Sequence, residues 1–139
     1  TVRDENDTGH AGYGLGASCD QALTDHLTAF VRYGWQRQDV YRFDHAWSAG
    51  FLVSGKLFGR QDDSLGLAYG MAVPSEDYRT VRRADSGKPG NEHHLEVFYA
   101  LRVNSCLTIS PDIQWVLNPE CDRSNDAAWA FGLRANLAF

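Results

Sequence analysis

The sequence has no long apolar run, few cysteines and no excess of basic residues. No stretch approaches about 18 consecutive uncharged apolar residues, which excludes a transmembrane helix. The 13 Lys and Arg are outnumbered by 18 Asp and Glu, and the net charge of −5 gives no support for a nucleic-acid partner. The 3 cysteines form no CxxC pair and fit no zinc pattern, and their odd number leaves at least one free or paired between chains: Cys19, Cys106 and Cys121.

Helical periodicity is scarce, and alternation of apolar with polar or small residues takes its place. Near the end of the chain, for example, Trp129 and Phe131 alternate with Ala130 and Gly132. Because successive side chains of a strand point to opposite faces, such alternation predicts β-strands. A length of 139 residues allows one domain, and the pattern divides it into seven strands, at residues 11–20, 27–36, 47–57, 65–73, 95–103, 107–117 and 128–139.

Two interpretations of the apolar rows are open. In a soluble β-sandwich or lipocalin-like ligand-binding module, the apolar rows point inward and the charged rows meet water. In a transmembrane β-barrel, the apolar rows meet lipid and the other rows face a watery lumen. The barrel is favoured because the apolar rows contain no charged residue and the opposite rows are rich in Gly and Ala. Aromatic residues also lie toward the same end of several strands, as an interfacial girdle requires: Tyr13, Trp35, Trp47, Trp115 and Trp129.

The segments between the predicted strands alternate between short and long. Short segments follow the first, third and fifth strands, and longer ones follow the second, fourth and sixth. Because outer-membrane barrels have short periplasmic turns and longer outer loops, we expect the longest segment, 74–94, to be extracellular. Residues 1–10 have the character of another outer loop, and such barrels have an even number of strands. The odd count therefore predicts the C-terminal seven strands of a larger barrel.

Four runs of the chain are similar to one known family: DQALTDHLTAFVRYGWQ, YRFDHAWSAGFLVSGKLFGRQDDSLGLAYGMAVPSEDYR, HHLEVFYALRVNSCLTISPDIQWVLNP and AFGLRANLAF. They resemble the C-terminal region of the carbohydrate-selective porins of the OprB type, from Gram-negative outer membranes. The resemblance implies an all-β, antiparallel up-and-down transmembrane barrel that passes mono- or oligosaccharides by diffusion, with no covalent chemistry and no cofactor. The chain departs from the family pattern at Cys121, where a Gly-rich loop is expected, and in the loop 74–92.

The predicted lumen rows supply the candidate pore wall. These rows hold four basic side chains and three acidic ones, with Asp20 as the third acid, so the net charge is +1. Such a nearly neutral wall suits polar uncharged solutes because its charged groups hydrogen-bond hydroxyls. Two aromatic residues in the same rows either stack against a sugar ring or fill space beside an inward-folded loop. The candidates are Arg32, Lys56, Glu96, Arg102, Asp112 and Arg134, with Phe30 and Phe98 as the aromatic pair.

Other partners and chemistries have weaker signals. Lipid around the barrel and a second copy of the chain in a homo-oligomer are expected partners. No enzyme is expected, because the predicted apolar rows contain neither Ser nor His and so build no Ser–His pair. No metal site is expected at His93 and His94, since neighbouring strand residues point to opposite faces. Four loop cations either contact lipopolysaccharide phosphates or simply lie in solvent: Arg79, Arg82, Arg83 and Lys88.

Overall fold

Seven β-strands form one antiparallel sheet in the computed structural model, which describes residues 11–38 and 40–138. Each strand pairs with its neighbours in the sequence, so the topology is up-and-down and confirms the predicted all-β fold class. The first and last strands form the two edges of the sheet. The strands are β1 (Gly14–Thr24), β2 (Leu27–Gln36), β3 (Phe43–Ser54), β4 (Ser64–Pro74), β5 (Glu92–Arg102), β6 (Leu107–Leu117) and β7 (Ala128–Leu137).

Several strand bounds differ from those that the alternation predicts. β1 continues to Thr24, which leaves only residues 25–26 as the turn before β2. β3 spans Phe43–Ser54 rather than 47–57, because the Ser54 side chain accepts a hydrogen bond from the Lys56 N–H and starts a 3-10 helix, Gly55–Phe58. β7 ends at Leu137. Phe139 and the loop expected at 1–10 lie outside the described residues.

The strand register places the two predicted kinds of row on opposite faces. Odd-numbered apolar residues pair across strands, as Leu67 pairs with Val97, and we call their side of the sheet the apolar face. Even-numbered residues pair with one another on the opposite side, as Ala68 pairs with Glu96, and we call that side the polar face. The same parity holds for the paired residues from β1 to β7, apart from bulges near the end of β1 and at the start of β3.

The sheet is a single layer, and nothing in the described chain covers its apolar face. Large apolar side chains along this face are exposed, with Phe131 at 77%, Leu15 at 76% and Leu133 at 75%. A soluble sandwich would bury these side chains against a second sheet. Soluble monomers rarely expose apolar surface on this scale, so the face is built to meet an apolar medium.

The segment between β4 and β5 contains a short helix, α1 (Glu76–Ala84), which the alternation did not predict. Ser75 caps its first turn, because the Ser75 hydroxyl accepts a hydrogen bond from the Tyr78 N–H at 3.3 Å. Acidic residues in the first turn and Arg82 and Arg83 in the last complement the helix dipole. Among the described residues, no helix is long and apolar enough to cross a membrane.

The short turn between β3 and β4 is held to β5 by one buried carboxylate. Asp63 accepts hydrogen bonds from the Arg60 guanidinium, from the Tyr99 hydroxyl at 2.6 Å and from the Arg102 N–H at 2.9 Å. The hydrogen bond from Arg60, followed by the one from Tyr99, lowers the pKa of Asp63 to about 2. Gly59, at φ +77°, ends the 3-10 helix of this turn in a conformation that favours glycine.

Candidate functional site

The centre of the polar face is a shallow trough over β3 and β4. Its floor is low because these two strands carry Gly, Ala or Ser at nearly every polar-face position, whereas larger side chains stand on the flanking strands β2 and β5. Neighbouring strands lie about 4.8 Å apart, so three spacings separate β2 from β5 by about 14 Å. The floor residues are Ala46, Ser48, Gly50, Leu52, Gly66, Ala68, Gly70 and Ala72.

A cavity of about 410 Å³ on the polar face brings together several of the predicted wall residues. Arg32 from β2 and Glu96 from β5 line it on opposite sides of the trough. Arg134 of β7 also lines it, because the sheet curls around the polar face. Phe30 and Phe98 complete this group of predicted residues. The cavity therefore offers guanidinium donors and a carboxylate acceptor together, which can hydrogen-bond hydroxyl groups.

The rings of the two predicted aromatic residues contact glycines of the trough floor. The Phe30 ring covers Gly50, its partner on β3, and the Phe98 ring covers Gly66, its partner on β4. Phe30 is 9% exposed, and the Arg32 guanidinium lies 4.9 Å from its ring centroid. These contacts favour the space-filling interpretation of Phe30, because its faces are already occupied.

The remaining predicted wall residues lie apart from this cavity. Asp112 pairs with Phe98 and accepts a hydrogen bond from the Gln114 side-chain amide at 3.0 Å. Arg102 ends β5 at the short-turn side, where its guanidinium donates to the Ser105 carbonyl at 3.0 Å. Lys56 is off the sheet in the 3-10 helix and is exposed. Both cations therefore belong to the short-turn end of the sheet.

A histidine and a glutamate of the polar face were missed by the sequence analysis. His94 Nε2 lies 2.6 Å from Glu92 Oε1, and both residues line a second cavity of about 520 Å³ that also includes Arg32. They were missed because β5 begins at Glu92, earlier than the alternation indicates. No group of three or more His, Cys, Asp or Glu in the described part of the chain is placed to hold a metal ion.

The three long loops contact one another at one end of the sheet. The Ser75 hydroxyl donates to the Tyr41 carbonyl at 3.0 Å, which joins α1 to the loop after β2. The Tyr78 hydroxyl donates to the Glu120 carbonyl at 2.7 Å, which joins α1 to the loop after β6. The loop after β6 leans over the polar face, since the Cys121 N–H donates to the Glu92 carboxylate.

Asp122 is the most connected residue of these loops. Its fully buried carboxylate accepts hydrogen bonds from the Arg82 guanidinium, the Lys88 N–H at 3.1 Å and the Ser124 hydroxyl at 2.6 Å. The bonds from Ser124, then those from Lys88 and Arg82, hold the pKa of Asp122 well below its usual range. The loops are therefore joined through charge as well as through backbone hydrogen bonds.

Three of the four loop cations that were considered as lipopolysaccharide contacts have partners within the loops. Arg82 binds Asp122, and the Arg83 guanidinium lies 3.2 Å from the Glu76 carboxylate. Arg79 donates to the Pro74 carbonyl at 3.0 Å. These contacts give the three arginines structural partners inside the protein.

Cys121 adopts a backbone conformation that favours glycine. Its φ is 56°, in the left-handed region, at the position where the resemblance leads one to expect a Gly-rich loop. The side chain is 1% exposed, and burial raises the pKa of the Cys121 thiol. All three cysteines are free thiols, with Cys19 and Cys106 exposed.

A band of aromatic side chains lies on the apolar face toward the long loops. Neighbouring rings contact one another at centroid distances of 5.4–6.4 Å, in the pairs Trp47–Tyr69, Tyr13–Trp35 and Trp115–Trp129. Trp and Tyr are enriched at membrane–water interfaces because each combines an apolar ring with a polar group.

Two histidines also lie in this band, which corrects the prediction that the apolar rows contain none. The Tyr33 hydroxyl is 2.6 Å from His45 Nδ1, and the Tyr69 hydroxyl is 2.6 Å from His93 Nδ1. They escaped the sequence analysis because β3 and β5 begin before the predicted strands. Every serine in the described strands has the parity of the polar face, so no Ser–His pair forms on the apolar one.

The chain is similar to known proteins in sequence and in fold. The family model described as carbohydrate-selective porin, OprB family, matches residues 2–139. The uncharacterized protein alr4550 of Nostoc sp. (strain PCC 7120) is 29% identical over 132 residues, which cover 91% of this chain and 21% of that protein. The high-pH structure of Pseudomonas putida OprB has a similar fold, with a TM-score of 0.76 at 17% identity, over 92% of this chain and 35% of that one. The chain thus spans about a fifth of its curated relative and about a third of the solved chain.

Proposed function

Because this chain belongs to the carbohydrate-selective porin family, OprB, we propose that its protein lets carbohydrates diffuse passively through a water-filled barrel in the Gram-negative outer membrane. The apolar face meets lipid in this proposal, and the polar face forms part of the pore wall. The three long loops lie outside the cell and the short turns lie in the periplasm.

The separation of the two faces carries this proposal. Across seven strands, the uncovered side of the sheet is apolar, and the side with the trough holds the charged residues. A soluble sandwich or lipocalin-like module would need the opposite exposure, with the apolar side covered. The aromatic band further supports a membrane, because it lies at one level of the apolar face near the long loops.

The polar face suits neutral, hydroxyl-rich solutes. Arg32 and Arg134 supply hydrogen-bond donors, and the carboxylates of Asp20 and Glu96 supply acceptors. The two charges of each sign offset one another within this cavity. A solute without net charge can keep its hydroxyl groups hydrogen-bonded along such a wall. Because the solute is uncharged, the wall does not hold it by strong electrostatic attraction. Mono- and oligosaccharides fit this description, and their passage requires no cofactor and no covalent chemistry.

The apolar face supplies the membrane partners. We propose that outer-membrane lipid and lipopolysaccharide contact this face and its aromatic band, since the arginines of α1 are engaged within the loops. Assembly into a homo-oligomer would bury part of the same face, and crosslinking in isolated outer membranes tests it.

Swelling of proteoliposomes tests the proposed function. Vesicles that contain the full-length protein are diluted into isotonic solutions of sugars of increasing size, and light scattering follows their swelling. The proposal predicts fast swelling in small sugars and none in vesicles without the protein. Correctly inserted protein that admits no sugar would overturn the proposal.

A further inference from the structure

A β-bulge at the beginning of β3 moves one aromatic side chain to the polar face. Phe43 pairs with Pro74, whereas His45 pairs with Val73, so Asp44 is an extra residue in β3. Directly paired residues of an antiparallel sheet point to the same side. Phe43 therefore lies with the even-numbered residues, although its own number is odd. Bulges are a known means of redirecting a side chain.

Phe43 lies between two cavities of the polar face. One cavity has a volume of about 370 Å³ and the other about 520 Å³, and Phe43, Gly34 and Ala46 line both. The Gln36 side-chain amide donates to the Phe43 carbonyl at 2.6 Å and so fixes the bulged backbone. Phe43 is nevertheless 39% exposed, on a face whose other exposed side chains are mostly small, polar or charged.

The exposure of Phe43 distinguishes it from the two aromatic residues deeper in the trough. The rings of Phe30 and Phe98 lie against glycines of the floor, and Phe30 also lies under Arg32. Phe43 keeps open surface beside the two cavities. Covering an exposed aromatic ring with an apolar surface lowers the free energy, because both surfaces leave water.

The polar groups around Phe43 suit a carbohydrate ring. Gln36 and Tyr41 line the first cavity, and Arg32 and His94 line the second. A pyranose ring has an apolar face of C–H groups and a rim of hydroxyl groups. The aromatic ring can cover that apolar face while the neighbouring side chains hydrogen-bond the rim, a combination that is common in ligand sites.

We propose that Phe43 forms an outer carbohydrate subsite, at which a sugar ring stacks before it reaches the cavity lined by Arg32 and Glu96. This inference rests on the proposed function, because it requires sugars to enter the lumen. In this inference, Phe43 recognises the ring of the sugar and not only its hydroxyl groups, because the bulge in β3 places Phe43 on the polar face.

Sugar block of single-channel current tests the subsite. The full-length protein is inserted in planar bilayers, and the concentration that gives half-maximal block is measured for D-glucose and for sorbitol, an acyclic polyol with no rigid ring. Phe43→Ala should raise the value for glucose about 3- to 10-fold, because an aromatic contact is lost, and should change the value for sorbitol little. Phe43→Tyr should keep the wild-type value.

Two further variants control for fold and volume. Phe43→Leu keeps most of the side-chain volume without an aromatic ring and should resemble Phe43→Ala. Phe51→Ala removes an exposed aromatic side chain from the apolar face and should leave sugar block unchanged. The unblocked current of each variant shows that its barrel has formed.

The outcomes separate the subsite from the function itself. An unchanged glucose block in both Phe43→Ala and Phe43→Leu overturns the subsite and leaves the porin proposal standing. An equal loss for glucose and sorbitol also overturns it, because ring stacking would then play no part. A wild-type channel that no sugar blocks or crosses overturns both proposals.

Discussion

The buried carboxylate of Asp122 binds the guanidinium of Arg82, and this ion pair joins the loop between β4 and β5 to the loop between β6 and β7. The pair is separated by 40 residues in the sequence. The loop between β6 and β7 also contacts the polar face, where the Cys121 N–H donates to the Glu92 carboxylate. The ion pair therefore stabilises part of the outer mouth of the proposed pore.

Replacement of Asp122 by Asn should loosen both loops. Asn keeps the size of the side chain but loses the charge and one of the two acceptor oxygens. When its Oδ1 serves the Ser124 and Lys88 donors, its NH2 group faces the Arg82 guanidinium, which loses its acceptor. We expect protease cleavage within 75–91 and 118–127 to be about tenfold faster, since opening would become more frequent. Mass spectrometry of timed digests measures it. Asp126→Asn, an exposed change in the same loop, is the control. Equal digestion of the two variants would contradict the role of Asp122.

The stability that Asp63 provides should disappear in acid. Its pKa of about 2 in the folded protein lies below the ordinary value of 3.8. A lowered pKa stabilises the fold above about pH 4, and this contribution is lost as the pH falls toward 2. Thermal unfolding in detergent should show Asp63→Asn less stable than wild type at pH 7, and the difference should shrink between pH 4 and pH 2. Asp62→Asn, an exposed neighbour, should show no such difference. A gap that persists at pH 2 would count against the carboxylate as its cause.

The glycine beneath Phe98 should resist substitution. A Cβ at Gly66 would overlap the Phe98 ring, so Gly66→Ala should destabilise the protein by about 1–3 kcal/mol through overpacking. Adding Phe98→Ala should recover part of this loss, because the obstructing ring is gone. Gly16→Ala is a suitable control, since its Cβ would meet only a carbonyl oxygen at 3.6 Å. Urea unfolding in lipid vesicles compares wild type, Gly66→Ala, Phe98→Ala alone, the double variant and Gly16→Ala. Additive effects of the two changes would show that the ring does not lie over Gly66.

A lysine should be far more costly on the apolar face than on the polar face. Val97 and Gln114 lie near the middle of β5 and β6, on the apolar and polar faces respectively. Val97→Lys places a charge in lipid and should cost about 2–4 kcal/mol of unfolding free energy, whereas Gln114→Lys meets water. The same urea experiment in vesicles compares the two. Similar costs for both variants would refute the assignment of the faces.

Much of the fold was predictable because period-two alternation survives along every strand. The residues assigned to the two faces pair with their own kind throughout, as Leu67 with Val97 and Ala68 with Glu96. Alternation, however, assigns a residue to a face by whether its number is odd or even. This assignment is wrong beyond a bulge, where one extra residue is inserted. Phe43 was not predicted as a polar-face residue for two reasons: β3 begins before the predicted strand, and the extra residue Asp44 shifts the parity of Phe43 by one position.

The contacts between the loops could not be predicted from the alternation for a different reason. The Asp122–Arg82 pair depends on two segments that meet only when the sheet has formed, and a charged loop residue gives no sign of its partner. The helix α1 is short and largely polar, so its signal was weak. Lys56 was misplaced because the capping of a 3-10 helix by Ser54 ends β3 before the apolar pattern does. The sheet was thus predictable from local period, whereas the outer mouth depends on long-range contacts.

Single-channel recording with sugar titration tests the central claim most directly. The full-length protein in a planar bilayer should carry a steady ion current, and a sugar added to the bath should reduce that current in a saturable way. Arg32→Ala should raise the sugar concentration for half-maximal block about threefold or more, because the wall loses a charged hydrogen-bond donor. A steady current that no sugar reduces would contradict carbohydrate selectivity. Correctly inserted protein that carries no current would contradict the pore.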